Sequence, residues 1–235
     1  MSSFDRQKLI KSLAISPSFI LVGSIGLLIF SQLISSIIFT VLPLSSLSDS
    51  VKTLINISVT GLAMTLMLGF ALKIYGGSVS SLGLVKPPRP WFKRTVISII
   101  AYLIFSSLFL IVISLLFKNF DANQTQNVGI DGVLSISDKI AGFIAIVILT
   151  PIIEETLFRG IIFRGLRISS PFWLAAVVSS SLFALAHGQW NVALDTFVLG
   201  LVLAYLVEKT KSIAPGILIH ALKNSLAFTL LFVVG

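Results

Sequence analysis

The stretch Phe19-Ile-Leu-Val-Gly-Ser-Ile-Gly-Leu-Leu-Ile-Phe-Ser-Gln-Leu-Ile-Ser-Ser-Ile-Ile-Phe-Thr-Val41 contains no charged side chain. At ~1.5 Å per residue it is long enough, as a helix, to cross the ~30 Å hydrocarbon core of a bilayer. In lipid every backbone N–H and C=O must be satisfied within its own element, so a span is a helix or part of a closed barrel. The apolar positions here are continuous rather than alternating, which excludes the barrel pattern. Arg6, Lys8 and Lys11 ahead of this run resemble the start of a signal peptide. The run is too long for a signal-peptide core, so a retained first span is expected.

Outward from that run, the chain repeats the pattern. Hydrophobic residues make up 56% and charged residues 11%, with a mean hydropathy of +1.04. So small a polar fraction cannot coat a soluble domain. The expected fold is therefore all-α, a polytopic transmembrane helix bundle of about seven spans, with six to eight compatible with the pattern. The spans read as Phe19–Val41, Leu54–Tyr75, Thr95–Phe117, Lys139–Phe163, Pro171–His187, Val192–Val207 and Ile213–Val234. Residues 1–137 form an N-terminal group of three spans, and residues 138–235 a second group that carries the intramembrane ionisable side chains. Between spans two and three, the prolines of segment 86–94 interrupt any helix. Trp91 and Phe92, beside Lys86, Arg89, Lys93 and Arg94, read as an interfacial anchor. A polar loop occupies 118–137.

A net charge of +8 and a pI near 10.0 could suit nucleic acid, but the charges cluster at the ends of apolar runs. That placement fits topology signals and anionic lipid head groups, so the lipid bilayer is an expected partner and nucleic acid is not. With the N-terminus cytoplasmic, only Lys52, Lys118 and Lys139 fall outside and Lys223 stays within a span; every other Lys and Arg lies inside. The absence of cysteine excludes disulfides and thiolate chemistry.

Charged side chains inside a bilayer cost at least ~2.5–3.5 kcal/mol each and persist where they pair, meet water or act. Span four contains Thr150-Pro-Ile-Ile-Glu-Glu-Thr-Leu-Phe-Arg-Gly160. Glu155 and Arg159 stand at i and i+4 and are expected to pair. Glu154 is rotated by roughly 100° and lacks that partner, which suits a general base. Span five ends at Phe183-Ala-Leu-Ala-His187, and span seven carries His220-Ala-Leu-Lys-Asn224. At ~1.5 Å per residue, Glu154 lies about 20 Å from Arg167, His187 about 24 Å from Pro171, and Asn224 about 20 Å from Lys211. His220 is shallower, at about 14 Å, and all four fit within one slab. Taken singly, each has a plain structural reading: an ion pair for Glu155, a helix–helix donor for either histidine, interhelical glue for Asn224. Asp195 and Lys223 lie at similar depth and are expected to form a structural ion pair between spans six and seven, with substrate binding as the alternative.

Taken in order, Glu154-Glu155-x-x-x-Arg159, Phe183-x-x-x-His187 and His220-x-x-x-Asn224 resemble the three motifs of the CPBP family. That family includes type II CAAX prenyl endopeptidases and the bacteriocin-processing or self-immunity proteins of the Abi group. The resemblance covers Lys139 to Val234. It implies a membrane-embedded endopeptidase of glutamic type, in which Glu154 activates water with help from His187. His220 and Asn224 would donate to the oxyanion, with Glu155, Arg159 and Phe183 in support. No cofactor is implied. Zinc held by Glu154, His187 and His220 is the alternative, although H-E-x-x-H is absent. The implied partner is a peptide or protein substrate at a prokaryotic cell membrane. An ion-coupled transporter and a non-proteolytic immunity or scaffold protein are the competing classes. Oligomeric state and prenylation of the substrate are left open.

Overall fold

The structure is a computed structural model and describes residues 17–42, 44, 46–75, 78–118, 120, 130 and 134–234. Arg6, Lys8 and Lys11, and most of the polar loop 118–137, lie outside the described residues. Among the described residues there is no strand. Among the described residues seven helices follow one another: α1 (Pro17–Val41), α2 (Asp49–Tyr75), α3 (Trp91–Leu116), α4 (Ile136–Arg167), α5 (Phe172–Leu185), α6 (Trp190–Thr210) and α7 (Ala214–Val234). Six are long and apolar enough to cross a membrane. The chain is an all-α, multi-pass integral membrane protein.

The exception is α5, expected over Pro171–His187 and observed with 14 residues. Its last turn tightens, with the His187 N–H donating to Ala184 O at 3.1 Å. Gly188 then takes a φ of 68°, a left-handed conformation that glycine adopts without steric cost and that ends helices. At its other end Pro171 is extended and opens the helix. Helix α2, in turn, starts ahead of its apolar run, because Ser48 and Asp49 supply a polar first turn. The Val51 N–H donates to Ser48 Oγ at 3.4 Å, and Lys52 pairs with Asp49 at 3.0 Å.

Helix α4 is not uniformly α. Residues Ile144–Leu149 and Thr156–Phe163 are π-helical, on either side of an α turn at Thr150–Glu155. π-Helical turns inside α-helices are frequent at functional sites; they shift the side-chain register.

Packing divides the chain into two units that cut across the sequence halves. One holds residues Met1–Ser81, Val128–Glu154 and His220–Gly235; the other holds Leu82–Asn127 and Glu155–Ile219. In the first, α1 packs on α2, and α2 on the first part of α4. Its helices bury small polar residues and expose large apolar ones: on α1, Ser24, Ser31 and Ser35 are buried while Val22, Leu33 and Ile37 are exposed. Ser35 and Asn56 join α1 to α2 by a hydrogen bond. This inverted pattern follows from lipid, which attracts aliphatic side chains as well as a protein core does and leaves close packing and polar bonds to hold helices together.

In the second unit, α6 packs against α3, α5 and Thr156–Phe163 of α4. Helix α3 buries Thr95, Ser98, Tyr102 and Ser106 and exposes Phe105, Leu108 and Leu115. The chain ahead of α3 is pinned by backbone-directed bonds. The Ile213 N–H donates to Gly83 O at 2.9 Å, and Ser212 Oγ donates to Val85 O at 2.5 Å. A Cβ on Gly160 would stand 2.9 Å from Leu82 O, a backbone atom that cannot rotate away. Gly160→Ala should therefore lower stability by about 1–3 kcal/mol, whereas Gly69→Ala, with nothing within 4 Å of the added carbon, should melt as the wild type does. Melting curves of the two variants in one detergent check this.

Candidate active site

In the first unit, α4 and α7 run antiparallel and touch at steps of one turn. A Cβ on Gly142 would lie 3.1 Å from the Phe228 ring, so glycine is what lets the helices close there. One turn on, Asn224 Nδ2 donates to Ile146 O at 2.9 Å. A further turn along α7, His220 Nε2 faces Glu154 Oε2 at 3.6 Å. Side chains on a helix lean toward its N-terminus, so the Glu154 carboxylate reaches back over the turn at Thr150, where His220 falls in register. The 3.6 Å separation is too long for a direct hydrogen bond. His220 is buried, while the Glu154 side chain keeps 26% of its surface exposed. The structure thus brings Glu154 to His220, and places Asn224 one turn along α7 from His220, bonded to Ile146 O.

In the second unit, Glu155 Oε1 meets Arg159 Nη1 at 3.1 Å with both side chains 0% exposed. The expected pair is present, and the structure shows how it is housed. The Arg159 guanidinium carbon lies 4.1 Å from the centre of the Phe183 ring, a cation–π contact. A Cβ on Gly216 would stand 3.3 Å from Glu155 Oε2, and one on Gly200 would stand 3.1 Å from Arg159 Nη2 and 2.7 Å from Ser180. Two glycines on α6 and α7 therefore make the room that the pair occupies. Phe183 also packs on Phe158, with ring centres 5.0 Å apart, and Ser179 Oγ donates to Phe158 O at 2.7 Å. The adjacent carboxylates of α4 consequently differ in kind: Glu155 is enclosed and paired, and Glu154 is partly open.

His187 follows Phe183 by one turn, with its ring edge-on to the Phe183 ring at 5.0 Å. Its Nδ1 lies 2.8 Å from Phe183 O. A carbonyl only accepts, so Nδ1 carries a proton, and of the two neutral tautomers this is the one with the lone pair on Nε2. The motif spacing Phe-x-x-x-His thereby fixes the tautomer of His187, and the phenyl ring holds both Arg159 and His187.

Asp195 of α6 receives Tyr102 Oη at 2.8 and 3.0 Å and also Ser106 Oγ. The two α3 hydroxyls come in addition to the Lys223 expected from the sequence, which assigned no role to α3. The signal was present in the i, i+4 spacing of Tyr102 and Ser106, but hydroxyls are common in transmembrane helices and identify a carboxylate partner only once packing is known. Gly200, Gly216 and Ile146 were likewise not singled out. Among the described residues, no three His, Cys, Asp or Glu side chains gather as a metal-ligand group.

Comparison with known proteins shows what the chain is similar to. Residues 136–226 match the family described as type II CAAX prenyl endopeptidase Rce1-like. An Escherichia coli protein named only as an uncharacterized 24.3 kDa protein is 37% identical over 92 residues, covering 37% of this chain and 42% of its own. The membrane-embedded CAAX protease MroQ of Staphylococcus aureus (strain USA300) is 33% identical over 121 residues, covering 48% and 49% respectively. The chain spans about half the length of these curated relatives. No solved structure matches it.

The enclosed pair generates a stability prediction. Removing one partner leaves an uncompensated buried charge, so Arg159→Ala or Glu155→Gln should each destabilise by about 3–5 kcal/mol. The double variant Glu155→Gln with Arg159→Gln should regain part of that loss, since both charges are gone. Melting temperatures of wild type, the single variants and the double variant decide it; a wild-type melt for Arg159→Ala would remove the pair from any structural role.

Proposed function

We propose, from the match of residues 136–226 to the Rce1-like type II CAAX prenyl endopeptidase family, that the chain is an intramembrane endopeptidase using a glutamate-activated water. The observation that carries this reading is the division of labour between neighbouring carboxylates. Glu155 is locked to Arg159 at 0% exposure, while Glu154 is 26% exposed with its Oε2 3.6 Å from His220 Nε2.

In this mechanism Glu154 takes a proton from water as the hydroxide oxygen bonds to the scissile carbonyl carbon. The C=O π electrons move to oxygen, forming a tetrahedral oxyanion. His220 and Asn224 donate hydrogen bonds to that oxygen. As the intermediate collapses, the C–N bond breaks and Glu154 returns the proton to the leaving amine. By the resemblance of its motif, His187, with Nδ1 committed to Phe183 O, takes the part of orienting the nucleophile by hydrogen bonding, while the single proton transferred goes to Glu154. Glu155 and Arg159 hold the α4 segment that carries Glu154. The substrate class is a membrane-associated or C-terminally processed peptide; the name of the staphylococcal relative, a CAAX protease, supports a segment near a chain end.

Glu154→Gln keeps the shape of the side chain and removes the base. It should reduce cleavage by a factor of about 10²–10⁴ without shifting the melting temperature. His220→Ala, which removes a donor, should cost about 10²–10³ in kcat. The substrates are read by comparing the peptides that accumulate in membranes carrying wild type and Glu154→Gln. Cleavage by Glu154→Gln at the wild-type rate would sink the proposal. Activity lost to a chelator and restored by zinc would replace the glutamate–water scheme with a metal one. A phenotype retained in full by Glu154→Gln would point to immunity or scaffolding.

A further inference from the structure

Pro151 lies buried in the middle of α4. Just before it, the Thr150 N–H donates to Ala145 O, five residues back, and Thr150 Oγ1 lies 3.0 Å from the same oxygen. In that π register the next carbonyl, Ile146 O, takes its bond from the N–H of residue 151. Residue 151 is proline and has none. A backbone carbonyl deprived of its donor in an apolar surrounding is costly, because no bulk water replaces the bond. Asn224 Nδ2 supplies the bond at 2.9 Å.

We infer that Asn224 is a positioning residue as well as an oxyanion donor: its side-chain amide replaces the amide that Pro151 lacks and thereby fixes the turn Thr150–Glu155 and the aim of Glu154. The geometry makes this economical. Asn224 and His220 are one turn apart on α7, so a single helix face holds Ile146 O and presents the imidazole to Glu154. An acceptor at Ile146 also settles which end of the amide is nitrogen, and leaves the second N–H of that NH₂ group for the oxyanion. The kinetic part of this inference rests on Glu154 being the base; the structural part does not.

The test is a cycle of four full-length proteins in one detergent: wild type, Pro151→Ala, Asn224→Ala and the double variant. Pro151→Ala restores an N–H at position 151, so the backbone can serve Ile146 O by itself. In the presence of Pro151, Asn224→Ala should lower the melting temperature by several degrees and lower kcat with little change in KM. In the Pro151→Ala background the same substitution should cost less than half the shift in melting temperature, and its kcat loss should shrink at least tenfold to the oxyanion share alone. Equal losses in both backgrounds would overturn the inference and leave Asn224 acting on the substrate only. Should the Pro151→Ala proteins fail to fold, Asn224→Asp gives a second reading. It keeps the shape but turns an acceptor toward Ile146 O, so it should melt below Asn224→Ala; a wild-type melt would equally overturn the inference. If Glu154→Gln stays active, the proposed function fails by itself, while the coupling of the melting temperatures still reports on Asn224.

Discussion

A guanidinium and a carboxylate with no solvent contact, 3.1 Å apart, are the constraint around which the second packing unit is organised. Each ion alone would cost several kcal/mol to withdraw from water, even after relaxation. The pair therefore dictates its neighbourhood. Phe183 must offer a ring face to Arg159, Gly200 and Gly216 must stay without a Cβ, and α5 must come close enough for Ser179 to reach Phe158 O. Once Phe183 is placed, the imidazole one turn later has its orientation and its tautomer. A charge pair that takes no part in bond making thus fixes the histidine that orients the nucleophile in the proposed scheme.

Much of this was legible in the chain itself. Uninterrupted apolar runs gave the spans, since a bilayer offers backbone groups no other partner than the helix. The i, i+4 spacing gave the Glu155–Arg159 pair and separated it from Glu154. What could not be read was what happens across helices. Asp195 takes hydrogen bonds from two hydroxyls of α3, which the sequence did not flag; Ser and Tyr carry no charge that hydropathy would notice. The glycines that house the pair look like any transmembrane glycines until a neighbour lies 3.3 Å from the missing carbon. Helix starts at Asp49 and Trp91 escaped because their first turns are polar or interfacial, and an apolar window begins only after them.

The π stretches of α4 were the least visible feature, although Pro151 announced an irregularity. A proline within a span removes one donor, but whether the helix kinks, breaks or shifts register depends on who serves the released carbonyl. Here a side chain on α7 does so. Register then passes from a backbone defect to the direction of a carboxylate, which is the same currency in which a catalytic site is specified: a few tenths of an ångström at one oxygen.

Helix α5 carries a consequence of another kind. Its 14 residues rise about 21 Å, well short of the hydrocarbon thickness. A helix of that length starting at one surface and standing along the bilayer normal would end, with its closing carbonyls, inside the hydrocarbon. Terminal carbonyls there must draw hydration inward or pull the bilayer surface toward them. A shortened helix in this sense works as plumbing: in the proposed scheme it would let water, the co-reactant of hydrolysis, reach into a solvent that otherwise excludes it.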